Sequence, residues 1–235
     1  MKKPSFNVSP DGKTVEVDGT VYSLSNRKIG ENIERLQTGC EEGFRPPTFS
    51  ELLNLMHASY LNEDNEQAKR VIGYANRKYN PLIANTITKI KESGLIVALD
   101  NPQFRENEYG NREVKINEKD LVDKLRPVVG SDLSGWVVIG RGGARVMPIS
   151  ELNSGVYNPF TILAEEYPIL LTGDKTSPEK LAQIAERTKK DIRLVIKNTA
   201  SIMTPIFGVG YMVTVGHSSW GYAGGFYTFD VRKSA

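Results

Sequence analysis

Thr48-Phe49-Ser50-Glu51-Leu52-Leu53-Asn54-Leu55-Met56 opens the stretch from which the rest of the chain is read. Thr48 and Glu51 have capping-box spacing: the Thr48 hydroxyl accepts a first-turn N–H while the Glu51 carboxylate reaches back to the N–H of Thr48. Phe49, Leu52, Leu53, Met56 and Tyr60 recur at helical spacing and define one apolar face. A second helix is expected from Asp64 or Asn65, either a good N-cap, with Ala68, Val71, Ile72 and Ala75 on one side. Asn80-Pro81 predicts a third, since proline at the first helical position gives up an N–H that has no helical partner there. Ile83, Ile87 and Ile90 form its stripe, and Gly94 stops it. Leu95 to Leu99 reads as a strand, Asp100-Asn101-Pro102 as a turn, and Arg112 to Ile116 as a second strand.

Three helices followed by strand, polar loop and strand is similar in layout to a winged helix, the helix-turn-helix variant that grips duplex DNA. That likeness implies a third helix lying in the major groove, with Asn85, Thr88 and Lys89 at base edges and Arg105 and Arg112 of the wing on phosphates. Charge tests the idea. Between Pro46 and Arg126 twelve basic residues balance twelve acidic ones, so the segment has no net electrostatic footprint. Within it, however, Gln67 to Lys91 holds six basic residues and no acidic one, Arg77 and Lys78 among them. The nucleic-acid reading therefore rests on Arg77, Lys78, Asn85, Lys89 and Arg112, and the competing reading is a helical bundle with a solvated basic face.

Working outward, the N-terminal residues read as a meander. Phe6 and Val8 precede Pro10-Asp11-Gly12, Val15 and Val17 precede Asp18-Gly19, and Val21, Tyr22 and Leu24 follow. Asp-Gly between apolar alternations is a strong hairpin signal because both turn residues tolerate positive φ. Ile29, Ile33 and Leu36 mark a short helix closed by Gly39. Cys40, beside Glu41 and Glu42, is a poor nucleophile, since neighbouring negative charge raises a thiol pKa.

Beyond Ile116, Leu121, Val122 and Leu125 line a short helix, and Val128 to Ser134 is the preferred internal boundary, giving segments 1–127 and 128–235 that are expected to pack closely. Trp136 to Ile139 and Ala144 to Ile149 read as strands joined by Gly140-Arg141-Gly142-Gly143. That turn is not a phosphate cradle, because Pro148 interrupts any helix that would have to open after it. Asn158-Pro159 is expected to start a helix that Pro168 closes. Ser177-Pro178 starts the clearest helix, with Leu181, Ile184, Ala185, Thr188, Ile192, Val195, Ile196 and Thr199 on one face and Lys180, Glu186, Arg187, Lys190 and Lys197 outside it. Its sheet is supplied by Tyr211, Val213 and Val215 and by Phe226 to Val231, where aromatic and β-branched residues alternate.

The composition is that of an ordinary globular chain: 235 residues, 39% hydrophobic, 25% charged, net charge +2. One cysteine rules out an intramolecular disulfide, and two distant histidines, His57 and His217, disfavour a zinc site; no metal or cofactor is expected. Met1 to Phe6 lacks the apolar run of a signal peptide, and no segment reaches the roughly 20 apolar residues of a membrane span, so a soluble, cytoplasmic protein is expected.

The fold expected is α+β: antiparallel hairpins, a central helical and winged-helix-like segment, and a C-terminal helix-on-sheet unit. The first functional reading is a non-enzymatic binding protein with nucleic acid as the concrete partner. A second is a small-molecule enzyme with His217 as acid or base beneath the Gly216–Gly225 loop. A third is assembly into a homo-oligomer, two copies pairing through the strand at Phe226 to Val231, which has few charges to guard an open edge.

Overall fold

The Asp-Gly turn adopts the backbone its chemistry allows: Asp18 and Gly19 both take positive φ, 46° and 78°, matching the twist of the strands they join. The computed structural model describes residues 3–30, 34–76, 81–90, 95–102, 104–106, 112–114, 138–139, 144–148, 154–196, 204–217 and 226–234. In chain order the elements are Asn7–Val8 (β1), Thr14–Val17 (β2), Thr20–Ser23 (β3), Arg27–Gly30 (β4), Glu34–Gln37 (α1), Phe49–Leu61 (α2) and Glu66–Ala75 (α3). Leu82–Ile83 (β5), Thr86–Ile90 (β6), Leu95–Asp100 (β7), Phe104–Glu106 (β8), Arg112–Val114 (β9), Val138–Ile139 (β10), Ala144–Pro148 (β11) and Gly155–Tyr157 (β12) follow. After a 3-10 turn at Ile162–Ala164 come Tyr167–Thr172 (α4), Ser177–Thr188 (α5), Ile192–Val195 (β13), Pro205–Val209 (β14), Val213–His217 (β15), Phe226–Thr228 (β16) and Val231–Lys233 (β17).

The protein is α+β. Its described strands form a seven-stranded mixed sheet, β12-β13-β15-β14-β5-β16-β4, two four-stranded antiparallel sheets, β1-β2-β3-β17 and β10-β11-β7-β6, and the β8-β9 pair. Helices α2 to α5 lie over one face of the large sheet, where Leu181, Ile184 and Ala185 of α5 meet Ile192, Leu194, Val213 and Val215 in the main core. On the opposite face a smaller cluster joins Leu36 of α1 to Ile29, Ile83, Ile206 and Phe226. Among the described residues no helix is long and apolar enough to cross a membrane.

Several starts are where the caps put them. The Thr48 hydroxyl accepts from the Glu51 N–H at 3.3 Å, and the Glu51 carboxylate accepts from the Thr48 N–H at 2.8 Å. Arg45 grips that carboxylate with both guanidinium nitrogens, at 2.8 and 2.6 Å. The Asn65 side chain caps α3 through the N–H groups of Gln67 and Ala68. The meander is held on α2 by the Tyr22 hydroxyl, which donates to the Glu51 carbonyl at 2.8 Å.

The third helix of the winged-helix layout is not there. Leu82 to Ile90 is extended and forms β5 and β6. Ile83, Thr86, Ile87, Thr88 and Ile90 are β-branched, and Thr86, Ile87 and Thr88 are all buried, so a strand covered on both faces shows no period of two that would separate it from a helix. The strand at Leu95 pairs with β6 and β11, not with a wing. The Asn158 segment gives only the 3-10 turn, and Pro168 lies at the start of α4 instead of ending its predecessor. The long C-terminal helix stops at Thr188: Lys189 takes a left-handed conformation, and Ile192 and Val195 belong to β13.

The strand expected at Phe226 to Val231 is paired on both sides within the chain. β16 lies between β5 and β4. β17 pairs with β3, and Val231 exchanges both backbone hydrogen bonds with Arg45, at 2.7 and 2.9 Å. The outward backbone groups of Val231 are therefore taken up within the chain, and β17 is the end strand of its sheet. At Asp230, between the two strands, the carboxylate receives Arg27 at 3.0 and 2.8 Å, and the same guanidinium donates to the Leu36 and Thr38 carbonyls.

The most deeply placed charge is Arg145 on β11, 2% exposed. Its guanidinium takes the Asp100 carboxylate bidentately, at 2.6 and 2.9 Å, and donates to the carbonyls of Leu170 and Leu171 at 2.5 and 2.9 Å. Asp100 also accepts from the Thr86 hydroxyl at 2.6 Å, which in turn accepts the Phe49 N–H at 2.9 Å. Removing one partner leaves the other charge buried without compensation. Asp100→Ala is expected to lower stability by about 3–5 kcal/mol, read as a fall in the urea midpoint; a loss under about 1 kcal/mol would mean that the pair is solvated.

Candidate functional site

Glu63 lies two residues past α2, Asn76 one past α3 and Lys190 two past α5, so three helix ends bring polar residues to one place. With Tyr60, Lys69, Ile72, Gly73, Arg187 and Thr188 they line an open cleft of about 450 Å³, a size that suits one small molecule. The helices meet here because their inner faces share the core, Tyr60, Val71, Ile184 and Ala185 among them.

The polar groups of the cleft present mainly donors. The Tyr60 hydroxyl donates to Asn76 Oδ1 at 2.9 Å, which fixes the carboxamide by its oxygen and leaves its NH₂ without a partner among the described residues. The Thr188 hydroxyl turns back to the carbonyls of Ile184 and Ala185. Arg187 meets Glu63 at 3.2 Å in a pair whose side chains are each 47% exposed, so the pair opens at little cost. Lys69 is held by Glu66 at 2.7 Å, and the Lys190 ammonium has no partner among the described residues. Burial pushes the Tyr60 phenol above its ordinary range, with the Glu63 charge adding to the effect, so it stays a neutral donor. Gly73 stands in the last turn of α3 with open space where a side chain would be.

The residues singled out from sequence fall elsewhere. Asn85 is buried, and its amide is consumed: it accepts from Gln37 and donates to Asn101 Oδ1, both at 3.1 Å. It cannot offer that amide to a base edge, because it sits in the crossing from β5 to β6 and not on an exposed helix. Lys89 and Arg112 are placed by backbone only, on β6 and β9, and Arg77 and Lys78 lie outside the described residues. His217 ends β15, paired with Pro205; the loop after it lies outside the described residues. Gly216, which opens that loop, is pinned: a Cβ there would stand 2.2 Å from the Val195 carbonyl oxygen.

Cys40 is half-buried and accepts from Arg27 at 3.3 Å, and its pKa is raised first by burial and then by the charge of Asp230. The thiol is thus unreactive for a different reason from the neighbouring Glu41 and Glu42. His57, read from sequence only as one of two distant histidines, is 2% exposed on α2 and bonds Gln183 of α5 at 2.7 Å. No group of three or more His, Cys, Asp or Glu able to hold a metal occurs among the described residues.

Comparison with known proteins gives one structural likeness. No family model matches the chain, and no curated protein sequence matches it. A solved structure described as "Accommodation of massive sequence variation in Nanoarchaeota by the C-type lectin fold" is similar over 88% of this chain and 95% of that chain, with 12% sequence identity and a TM-score of 0.48.

The cleft was not legible as a site, since its parts are 110 residues or more apart in sequence, Asn76 against Arg187. The available signal was Gly73, a glycine inside an otherwise good helix, which costs about 1 kcal/mol against alanine. Gly73→Ala is expected to raise stability by up to about 1 kcal/mol, measured by chemical denaturation, while narrowing the cleft floor. A second expectation concerns His57, whose pKa burial lowers, the Gln183 bond opposing and Lys180 assisting. The unfolded imidazole binds a proton below about pH 6.5 and the folded one does not. Stability should therefore be level above that pH and fall as pH drops below it. His57→Gln should remove this limb from the pH dependence of the urea midpoint; an unchanged profile would contradict it.

Proposed function

We propose that this is a non-enzymatic binding protein which holds a small polar ligand by an acidic group in the cleft between α2, α3 and α5. The observation that carries the reading is the convergence of Arg187, Lys190 and the Asn76 amide on one cleft, with donor capacity that the described residues do not use. An anionic oxygen supplies what these groups lack, and hydrogen bonds to charged groups are the stronger kind. The exposed Glu63 pair leaves Arg187 available, while Tyr60 holds Asn76 in place before any ligand arrives.

Duplex nucleic acid is the competing reading. It no longer has a recognition helix behind it and rests on charge: the six basic residues between Gln67 and Lys91, of which Lys69 lines the cleft, together with Arg112.

Acetate, the simplest carboxylate, tests the first reading. In a heteronuclear NMR titration the amides of Gly73, Asn76 and Lys190 should move, and Arg187→Ala or Lys190→Ala should each weaken binding by about tenfold, the value of one charge-assisted hydrogen bond. Mobility shift with mixed duplex DNA at low salt tests the second. Retardation that survives both cleft substitutions but is lost with Lys89→Ala and Arg112→Ala would transfer the function to nucleic acid.

A further inference from the structure

We infer that the ligand of this cleft is a small zwitterion, with one carboxylate and one ammonium, and not a polyanion; the inference rests on the cleft being the binding site. The cleft is bordered by the C-terminal turns of three helices, Tyr60 of α2, Ile72 and Gly73 of α3 and Arg187 and Thr188 of α5. A helix C-terminus carries about half an elementary negative charge in its last carbonyls. Three such ends at one place repel an anion of high charge and favour a cation. Against them stand Arg187, Lys190 and Lys69, whose pair with Glu66 is more exposed than that of Arg187 with Glu63. The cleft therefore holds both signs of charge, Glu63 and the helix-end carbonyls on one hand and Lys69, Arg187 and Lys190 on the other.

Glu63 and Arg187 complete the match. Their exposed pair, 3.2 Å apart, is the kind of contact that a ligand with both charges can replace. The ligand carboxylate takes the guanidinium of Arg187 and the ammonium of Lys190, and the ligand ammonium takes the Glu63 carboxylate. One ion pair opens and three form, whereas a bare anion forms two and a bare cation one. Ile72 and the open backbone of Gly73 leave an apolar floor for the carbon body between the two charges. Free amino acids and their close relatives have this chemistry.

The test is NMR titration of the intact protein with glycine, L-leucine and L-glutamine, set against isocaproate, isoamylamine and inorganic pyrophosphate. Isocaproate and isoamylamine are leucine without its amino group and without its carboxylate. The expected result is movement of the Gly73, Asn76 and Lys190 amides with at least one amino acid, bound about tenfold more tightly than isocaproate or isoamylamine, as one charge-assisted bond requires. Glu63→Gln should weaken leucine binding about tenfold and abolish its preference over isocaproate. Isocaproate binding as tightly as leucine, or pyrophosphate binding more tightly than either, would overturn the zwitterion while leaving the cleft as an anion site. If no probe moves those amides, both the inference and the binding reading fall.

Discussion

Arg145 and Asp100 form the contact through which the sheets and helices hold one another. A bidentate pair this deep is costly to desolvate, and the cost is offset only because every oxygen and nitrogen in reach is used. Arg145 satisfies two carbonyls, of Leu170 and Leu171, at the end of α4, where a helix leaves carbonyls without partners and favours a cation. Gly173 then closes α4 in the left-handed conformation, φ 69°, with its would-be Cβ 3.1 Å from Arg145 Cδ. From Asp100 the chain of bonds continues through Thr86 to the first N–H of α2. One ion pair thus fixes β11, β7 and β6 against the end of one helix and the start of another. Helices α4 and α2 both pack on α5, so the pair bears on two of the helices that wall the cleft through the core they share.

A second ion pair does the same for the chain ends. Arg27 binds Asp230 at the place where the backbone leaves the large sheet as β16 and enters the meander sheet as β17. Each strand then pairs with an N-terminal partner, β4 or β3. Strands from both sides of Pro127 share three sheets in this way, β11 with β7 being the third case. Phe226 to Val231 is covered by β3, β4 and Arg45, which lie near the other end of the sequence, and no local pattern could show that.

What could be read from the sequence was what depends on a few adjacent residues. The positive φ at Asp18 and Gly19, the capping box at Thr48 and Glu51 and the cap at Asn65 each follow from side chains within reach of their own backbone. Leu82 to Ile90 failed for the opposite reason: a strand buried on both sides carries apolar residues at positions that also satisfy a helical period, and proline at Pro81 suits the start of either. The α5 helix was read too long because Ile192, Val195 and Ile196 continue its stripe by coincidence of spacing, while the left-handed turn at Lys189 has no glycine or asparagine to announce it. Asn85 looked available only because the segment around it was taken for an exposed helix.

The cleft raises the same difficulty in its charges. Arg187 and Lys190 are where any helix end would place cations to balance its own carbonyls, and from sequence that explanation is sufficient. In the folded chain it is not. The last turns of α2 and α3 contain no basic residue, so two of the three helix ends at the cleft are not balanced from within their own helices. Of the cations that line the cleft, Arg187 and Lys190 come from α5 and its following residues and Lys69 from the first turn of α3. Cations gathered at three helix ends, with Glu63 holding Arg187 only through an exposed pair, leave charge of both signs that a ligand can engage. A ligand carrying the complementary pair removes that imbalance with the least rearrangement, since only the exposed Glu63–Arg187 contact has to open.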